Sequence, residues 1–549
     1  MRAIDLYSGV GGWSLGLRLA GVEVAASYER FEPANNTNTQ NNGHLAVSAD
    51  IRTMDLNILP TDIDLIVGSP PCTQFSYSNK GGGGDIFDGL KDIARFLEIV
   101  ELLKPRFWAM ENVPRVADIL RKELREGGIL EKYNHLGAVI KVVNMESWGL
   151  PQRRKRCIAG NIDFDLLDSY SELSRPLTLG DVVNSLRGEV LVDPIYGIDL
   201  HRTCVTDHIT EDSLNAEEVR VNRSAKECHP VYNAMSFPDP LDRSVRTITA
   251  TCTRVSRESV VIADPDRAGE YRRLTLRERA CLQGFPISFQ FYGTSHGQKG
   301  TMIGNAVPPL FSFYVAQCCL QREVDQIILP SDAISRFRPS GGPAAVTKVE
   351  TAGRRYPEER TFRFSVPGLN FKSGVRFELT NRKDGIAPRW NVAFYFGHST
   401  SIQNLKLNAD AHNVLMSALP NEIRKRLEPD LIALREYVIS SDVKRMQDVW
   451  TRRHPGGTRP FDFLDELARS GAVFAATLAG LCPFAATEAV NLVVQAQFGE
   501  AGLTMTGVQK LRRNSHSILA GLLMGAAVNE CIDPTNQPVP EREKRLATG

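Results

Sequence analysis

A cysteine, a glutamate and a run of arginines are the residues here whose types and spacing could do chemistry. Cys72 lies in GSPPCTQFS (68–76), directly after the apolar stretch IDLIV (63–67). Two prolines ahead of it restrict the backbone and would aim the thiol. Only a few per cent of a free thiol ionises near neutral pH, but the thiolate is a strong nucleophile. The other nine of the ten cysteines are scattered without a CxxC pair, so inert, buried roles are expected for them and no metal site is expected. Glu111 lies in FWAMENVP (107–114), where an apolar strand carries a carboxylate that needs a partner once buried. Such a group can pass a proton to a substrate held beside the thiol. GLPQRRKR (149–156) contains four consecutive positive charges leading into a strand, so Arg154 and Arg156 share one face. One face can meet the site and the other can meet phosphate.

A second constellation suits a nucleotide-like cofactor. DLYSGVGG (5–12) runs from a strand through glycines into a helix. Glycines allow close backbone approach to a ligand, and a helix start offers free N–H groups. Glu29, 17 residues past Gly12, would end the next strand, where a carboxylate can accept ribose hydroxyls. Asp50 and Ile51, after a further strand, could hold an adenine. On these residues alone, NAD, S-adenosylmethionine and a purely structural tight turn all remain open. Four glycines at 81–84 suit a lid over Cys72 or a plain linker.

Alternating elements must position these groups. Strands are expected at 2–7, 22–28, 63–67, 107–110, 138–144 and 156–159, with helices at 13–20 and 86–103. That rhythm implies an α/β fold on a largely parallel sheet, with ligands beyond the carboxyl ends of its strands. Residues 165–245 are polar and irregular. Regular structure resumes at 247–250, with helices at 274–282 and 307–322. Residues 329–345, rich in Pro, Ser and Gly, read as a linker. Beyond it, strand-like alternation at 361–366, 375–379 and 390–396 gives way to mostly helical sequence over 411–531, and 534–549 reads as a loose tail. The apolar run 471–487 is interrupted by Pro483 and reads as buried helix, not membrane span. A net charge of +1 gives no global attraction for nucleic acid, so any such site must rest on local Lys and Arg clusters. The start, MRAIDLYSG, enters a strand directly, and the cysteine usage suits a reducing cytosol.

Together these segments resemble the DNA cytosine-5 methyltransferase family over 1–325, in the family's order. DLYSGVGG is similar to the cofactor loop, GSPPCTQFS to the nucleophile loop, MENV to the proton-donor motif and LPQRRKR to the arginine motif. RLTLRERACLQGFP (273–286) looks like the helix supporting the target-recognition region. GNAVP (304–308) looks like the segment that folds back to complete the cofactor pocket. The resemblance removes NAD, and with it a dehydrogenase, from the open readings. The resemblance implies a Rossmann-like S-adenosylmethionine-dependent methyltransferase sheet. It also implies the cofactor S-adenosylmethionine, held by Tyr7, Gly9, Gly11, Gly12, Glu29, Asp50, Ile51 and Asn305. Tyr7 stands where Phe is usual. Cys72, Glu111 and Arg154 are the implied catalytic residues: Cys72 adds to cytosine C6, Glu111 contacts N3 and Arg154 holds the base. The implied partner is double-stranded DNA bound by a monomer, in a bacterial cytosol, with a cognate restriction nuclease or other defence protein as a further candidate. A methyltransferase acting on tRNA and a non-catalytic DNA-binding regulator are the rivals.

The expected organisation is a catalytic and cofactor core over 1–164, a recognition region over 165–245, the rest of the core over 246–328, the linker, and a C-terminal domain over 346–549. That domain is expected to be β-rich to 410 and mostly helical from 411 to 531. Asp430 with Asp442 and Lys444 outlines a nuclease motif, but in helical sequence where that motif needs strands. Residues 504–514 are weighed as a recognition helix against an ordinary core helix.

Overall fold

The first strand, β1 (Arg2–Leu6), has four of its five residues buried, as a strand covered on both faces requires. The computed structural model describes residues 1–44, 46–75, 84–227, 234–350, 363–364, 376–383, 388–398, 401–406, 411–441, 460–498, 509 and 513–532. Around β1 the chain alternates: α1 (Gly12–Ala20), β2 (Glu23–Glu29), α2 (Glu32–Asn42), β3 (Ala46–Ser48), β4 (Leu65–Gly68), α3 (Ile86–Leu103), β5 (Phe107–Asn112) and α4 (Arg115–Glu123). Then follow β6 (Val139–Asn144), β7 (Gln152–Arg153) and β8 (Lys155–Gly160). Seven strands form one sheet in the order β3-β2-β1-β4-β5-β8-β6. All neighbouring pairs are parallel except those of β8, which runs against both β5 and β6. The order reverses between β1 and β4, so their carboxyl ends open the crevice where ligands of such sheets bind.

The chain separates into two compact units: Met1–Asn215 with Phe237–Glu350, and Ala216–Ser236 with Thr351–Gly549. Two expected boundaries are therefore displaced. The stretch expected as a linker packs onto the first unit. There Phe337 stacks on Phe289, Ser340 and Gly341 donate backbone N–H groups to Gln40 O at 3.0 Å, and Lys299 Nζ donates to Ala345 O at 2.8 Å. Its Pro and Gly shape a strap, and strap and linker have the same composition. Residues 165–245 are divided as well, because Ala216–Ser236 belongs to the second unit.

In the second unit, Arg363–Phe364, Arg376–Lys383, Pro388–His398 and Ser401–Lys406 form an antiparallel four-stranded sheet. Helices Ala411–Ala418, Asn421–Ser440, Pro460–Leu478 and Pro483–Phe498 pack around Ser515–Ile532. From Ile518 to Val528 that last helix is buried on every side, as a central helix must be. The apolar run 471–487 spans two helices broken at 479–482, and among the described residues no helix is long and apolar enough to cross a membrane. Asp430 sits inside the helix Asn421–Ser440. Asp442, Lys444, most of 504–514, the tail 534–549 and glycines 81–83 lie outside the described residues.

Candidate active site

Cys72 follows β4 in a short loop held at three points. Ser69 N donates to Leu6 O at 3.1 Å, Trp13 Nε1 donates to Ser69 Oγ at 3.1 Å, and Asn112 Nδ2 donates to Pro70 O at 3.0 Å. Neighbouring strands and α1 therefore fix the thiol's place. Glu111 is buried near the end of β5, and Arg156 Nε of β8 lies 2.9 Å from its Oε1. A buried carboxylate needs such a partner. Burial pushes the Cys72 thiol above its ordinary range and the Glu111 charge adds to this, while Arg156 and Arg154 pull it down. The same four groups thus share one electrostatic environment.

Arg154 is also buried, and its guanidinium donates to three backbone carbonyls: Ile248 at 3.2 Å, Gly304 at 3.2 Å and Ala306 at 3.1 Å. Burial and the neighbouring Arg156 push it well below the ordinary arginine range. It pins the segment around Asn305, an exposed residue closing the helix His296–Asn305, to the strand region before residue 250. The helix Leu276–Leu282 begins with a capping box, Thr275 with Glu278. Arg277 Nε of this helix donates to Thr206 O at 3.1 Å, and Arg273, in the strand Tyr271–Arg273 ahead of it, pairs with Glu211, so both hold the segment expected to read the target.

The glycine loop has two parts with different work. At Gly9 φ is +52° and nothing lies within 4 Å of where a Cβ would stand, so the backbone there is open to a ligand. At Gly12 a Cβ would meet Val307 O at 2.0 Å, and beside Gly11 it would meet the Asn38 side chain at 2.1 Å. Those two glycines are required by packing. Asp5, buried behind the loop, accepts Ser14 N–H at 3.1 Å and Ser14 Oγ at 2.7 Å, and burial pushes its carboxyl up to about 7. Glu29 takes Gly9 N at 3.1 Å on one oxygen and Phe31 N at 2.8 Å on the other. A carboxylate offers about four lone-pair positions, so capacity for ribose hydroxyls remains.

Asp50 is exposed and Ile51 buried, with Ile51 O held by Arg95 Nε at 3.0 Å. Tyr7 Oη donates to Asp92 at 3.3 Å, and Asp92 in turn takes Arg52 at 2.6 and 2.8 Å. The tyrosine hydroxyl thereby joins an ion pair that a phenylalanine would not reach.

A model of C-5 cytosine-specific DNA methylases matches residues 1–321, more than half of the chain. The chain belongs to the C-5 cytosine-specific DNA methylase family. It is a DNA cytosine-5-methyltransferase. Type II methyltransferase M.HgiDI of Herpetosiphon aurantiacus is 30% identical over 324 residues, covering 58% of this chain and 93% of that protein. Type II methyltransferase M1.HphI of Haemophilus parahaemolyticus is 29% identical over 354 residues, covering 59% and 87%. The solved structure of S. pombe Dnmt2 methyltransferase is similar at 18% identity, covering 58% of this chain and 98% of that chain with a TM-score of 0.41.

For this methylase the structure brings Cys72, Glu111 and Arg154 to the same end of the sheet as Tyr7, Gly9 and Glu29. Sequence reasoning put Arg156 on the right face but gave it no partner; its two-residue spacing from Arg154 was the available signal. Arg52 and Asp92 were not singled out, and Asn112 was expected at this edge of the sheet beside Glu111 but given no partner. Their contacts span 40 or more positions in the chain, and no local pattern reveals them.

Proposed function

We propose that the enzyme methylates cytosine in a specific duplex sequence through a transient covalent adduct on Cys72. The observation that carries this reading is the Glu111–Arg156 pair at the end of β5, acting on a thiol fixed at the end of β4. Cytosine C5 is a poor nucleophile while the ring is aromatic. Addition of the Cys72 thiolate at C6 breaks the aromaticity and makes C5 enamine-like. Glu111 holds or protonates N3 as charge builds there, and Arg156 fixes the carboxylate that does so. Arg154, expected to hold the base, is instead buried with its guanidinium on the carbonyls of Ile248, Gly304 and Ala306, so it would act by fixing the loops around the site. After C5 has gained its methyl group a base removes the C5 proton, and the Cys72 sulfur leaves as the double bond re-forms.

S-adenosylmethionine supplies the methyl group as an electrophile on a sulfonium. Glu29 would take its ribose, Asp50 and Ile51 its adenine, and the Gly9 backbone with Tyr7 would line its passage. The open space beside Gly9 and the spare acceptor positions of Glu29 fit that role. Gly11, Gly12 and Asn305 would act by shaping the loop and closing the pocket.

A stacked base hides C6, so the target cytosine must leave the helix, at a cost of a few kcal/mol. The recognition region within 165–245 would read base edges, with Arg and Lys on phosphates. The relatives' type II names support a restriction-modification setting with a cognate nuclease.

Duplex DNA carrying 5-fluorocytosine tests the scheme, because fluorine at C5 blocks the final proton loss. The enzyme should become linked to that DNA through the peptide containing Cys72. Cys72→Ala should form no adduct and transfer no methyl while still binding S-adenosylmethionine. Undiminished transfer by Cys72→Ala, or transfer to tRNA alone, would overturn the reading.

A further inference from the structure

The second unit lies beyond the matched residues 1–321 except for one inserted stretch, Ala216–Ser236. That stretch comes from the middle of the region proposed to read the target. Its helix, Ala216–Glu227, is polar in sequence, yet Asn222 and Lys226 are fully buried and Arg220 pairs with Asp465 of the helix Pro460–Leu478. Polar side chains are rarely buried unless a neighbouring surface has been built to receive them. The chain therefore passes between the units at 215/216, 236/237 and 350/351. A module hung on a single C-terminal linker would need only the last of these.

Charge is distributed as unevenly as the chain. The first unit holds 36 Lys and Arg against 41 Asp and Glu, a net charge of −5. The second holds 29 against 23, a net charge of +6. A catalytic unit of negative net charge is poorly suited to draw a polyanion, whereas its partner unit is well suited.

Part of that positive charge gathers at one end of the helical bundle. Lys425 and Arg426 are exposed on the helix Asn421–Ser440, and Arg426 Nη1 lies 3.9 Å from where a Cβ on Gly480 would stand. The adjacent Leu481 O is bonded by His516 Nε2 at 3.1 Å, three residues after the exposed Arg513. Arg426, with Lys425 next to it in sequence, and Arg513, one helical turn before His516, therefore belong to the end of the bundle that carries the turn 479–482. Glu422 and Glu428 lie on the first of these helices without interrupting its run of three bases.

We infer that the second unit is a phosphate-binding part of the target-reading apparatus, gripping duplex DNA with the Lys425, Arg426 and Arg513 end of its bundle. The inserted helix Ala216–Glu227 ties it to the recognition region. This inference rests on the reading of the protein as a duplex methylase.

Steady-state methylation of cognate duplex by the full chain, measured across a salt series, tests it. The triple variant Lys425→Gln, Arg426→Gln, Arg513→Gln should raise KM for DNA on the order of tenfold near 0.1 M salt. It should flatten the log–log salt dependence by about two to three, at roughly 0.9 for each lost phosphate contact. kcat at saturating DNA should be unchanged. An unchanged KM and slope, with normal turnover, would sink the inference and leave the methylase assignment standing. Absence of methyl transfer by the wild-type chain would instead sink that assignment. The tie is tested separately. Arg220→Glu should raise KM for DNA roughly two- to fivefold, as an exposed ion pair allows, and Asp465→Arg added to it should restore the value. A silent single variant, or a double variant no better than the single, would remove the helix from the scheme.

Discussion

The two units use sequence in opposite ways. In the first, Glu29, Cys72 and Glu111 each end or closely follow a parallel strand of one sheet, so backbone geometry places the nucleophile, the acid and the cofactor's carboxylate ligand. In the second, the informative features are a buried apolar helix, Ser515–Ile532, and a surplus of positive charge, neither of which depends on a single position. Chemistry at an atom demands exact partners, whereas a core or a phosphate-facing surface tolerates many sequences. Substitutions of the strand-end groups in the first unit should therefore act chiefly on rate, with both units still folded. Those in the second should change stability or DNA affinity at constant rate.

The sharpest test of that contrast is Arg156→Ala. It leaves Glu111 buried without its partner, and kcat should fall by about a hundredfold or more, with a melting profile that retains both units. Loss of the second unit's transition in that variant would show that the units are not separable in this way. Next in size is Leu427→Ala in the second core, where Leu427 is fully buried. Removing those atoms should cost about 2–5 kcal/mol in denaturant unfolding of that unit, with kcat at saturating DNA unchanged. A parallel fall in kcat would break the comparison from the other side.

The smallest expected effect is electrostatic. The Glu111 charge helps push the Cys72 thiol up, so Glu111→Gln should bring it down and enlarge the thiolate fraction at any fixed pH below its titration. Alkylation of Cys72 by iodoacetamide at pH 8, followed by mass spectrometry without DNA, should then run faster although methyl transfer is slower. Slower alkylation would mean that Glu111 does not govern the thiol.

The α/β rhythm and most strand and helix positions were legible because buried parallel strands are short apolar runs between turn signals. The helix α3 was expected at 86–103 and occupies Ile86–Leu103. The helix α2, EPANNTNTQNN, was not expected, because Asn and Thr disfavour helix interiors. It forms because its polar side chains find distant partners. Asn41 exchanges two hydrogen bonds with the Gln290 backbone at 2.7 and 2.8 Å, and Asn42 Nδ2 donates to Gly11 O at 3.3 Å.

By itself, then, the sequence determined the sheet, the order of the motifs and which residue types stand at the strand ends, since each rests on local periodicity or on neighbours within a few positions. Only the tertiary structure decided that Gly12 serves a packed carbonyl, that Arg156 is the partner of Glu111, that 329–345 is a strap, and that Ala216–Ser236 folds with the second unit. Each of those facts is a contact between positions far apart in the chain. The free energy of such a contact depends on what the rest of the fold brings to it, and no local pattern carries that information.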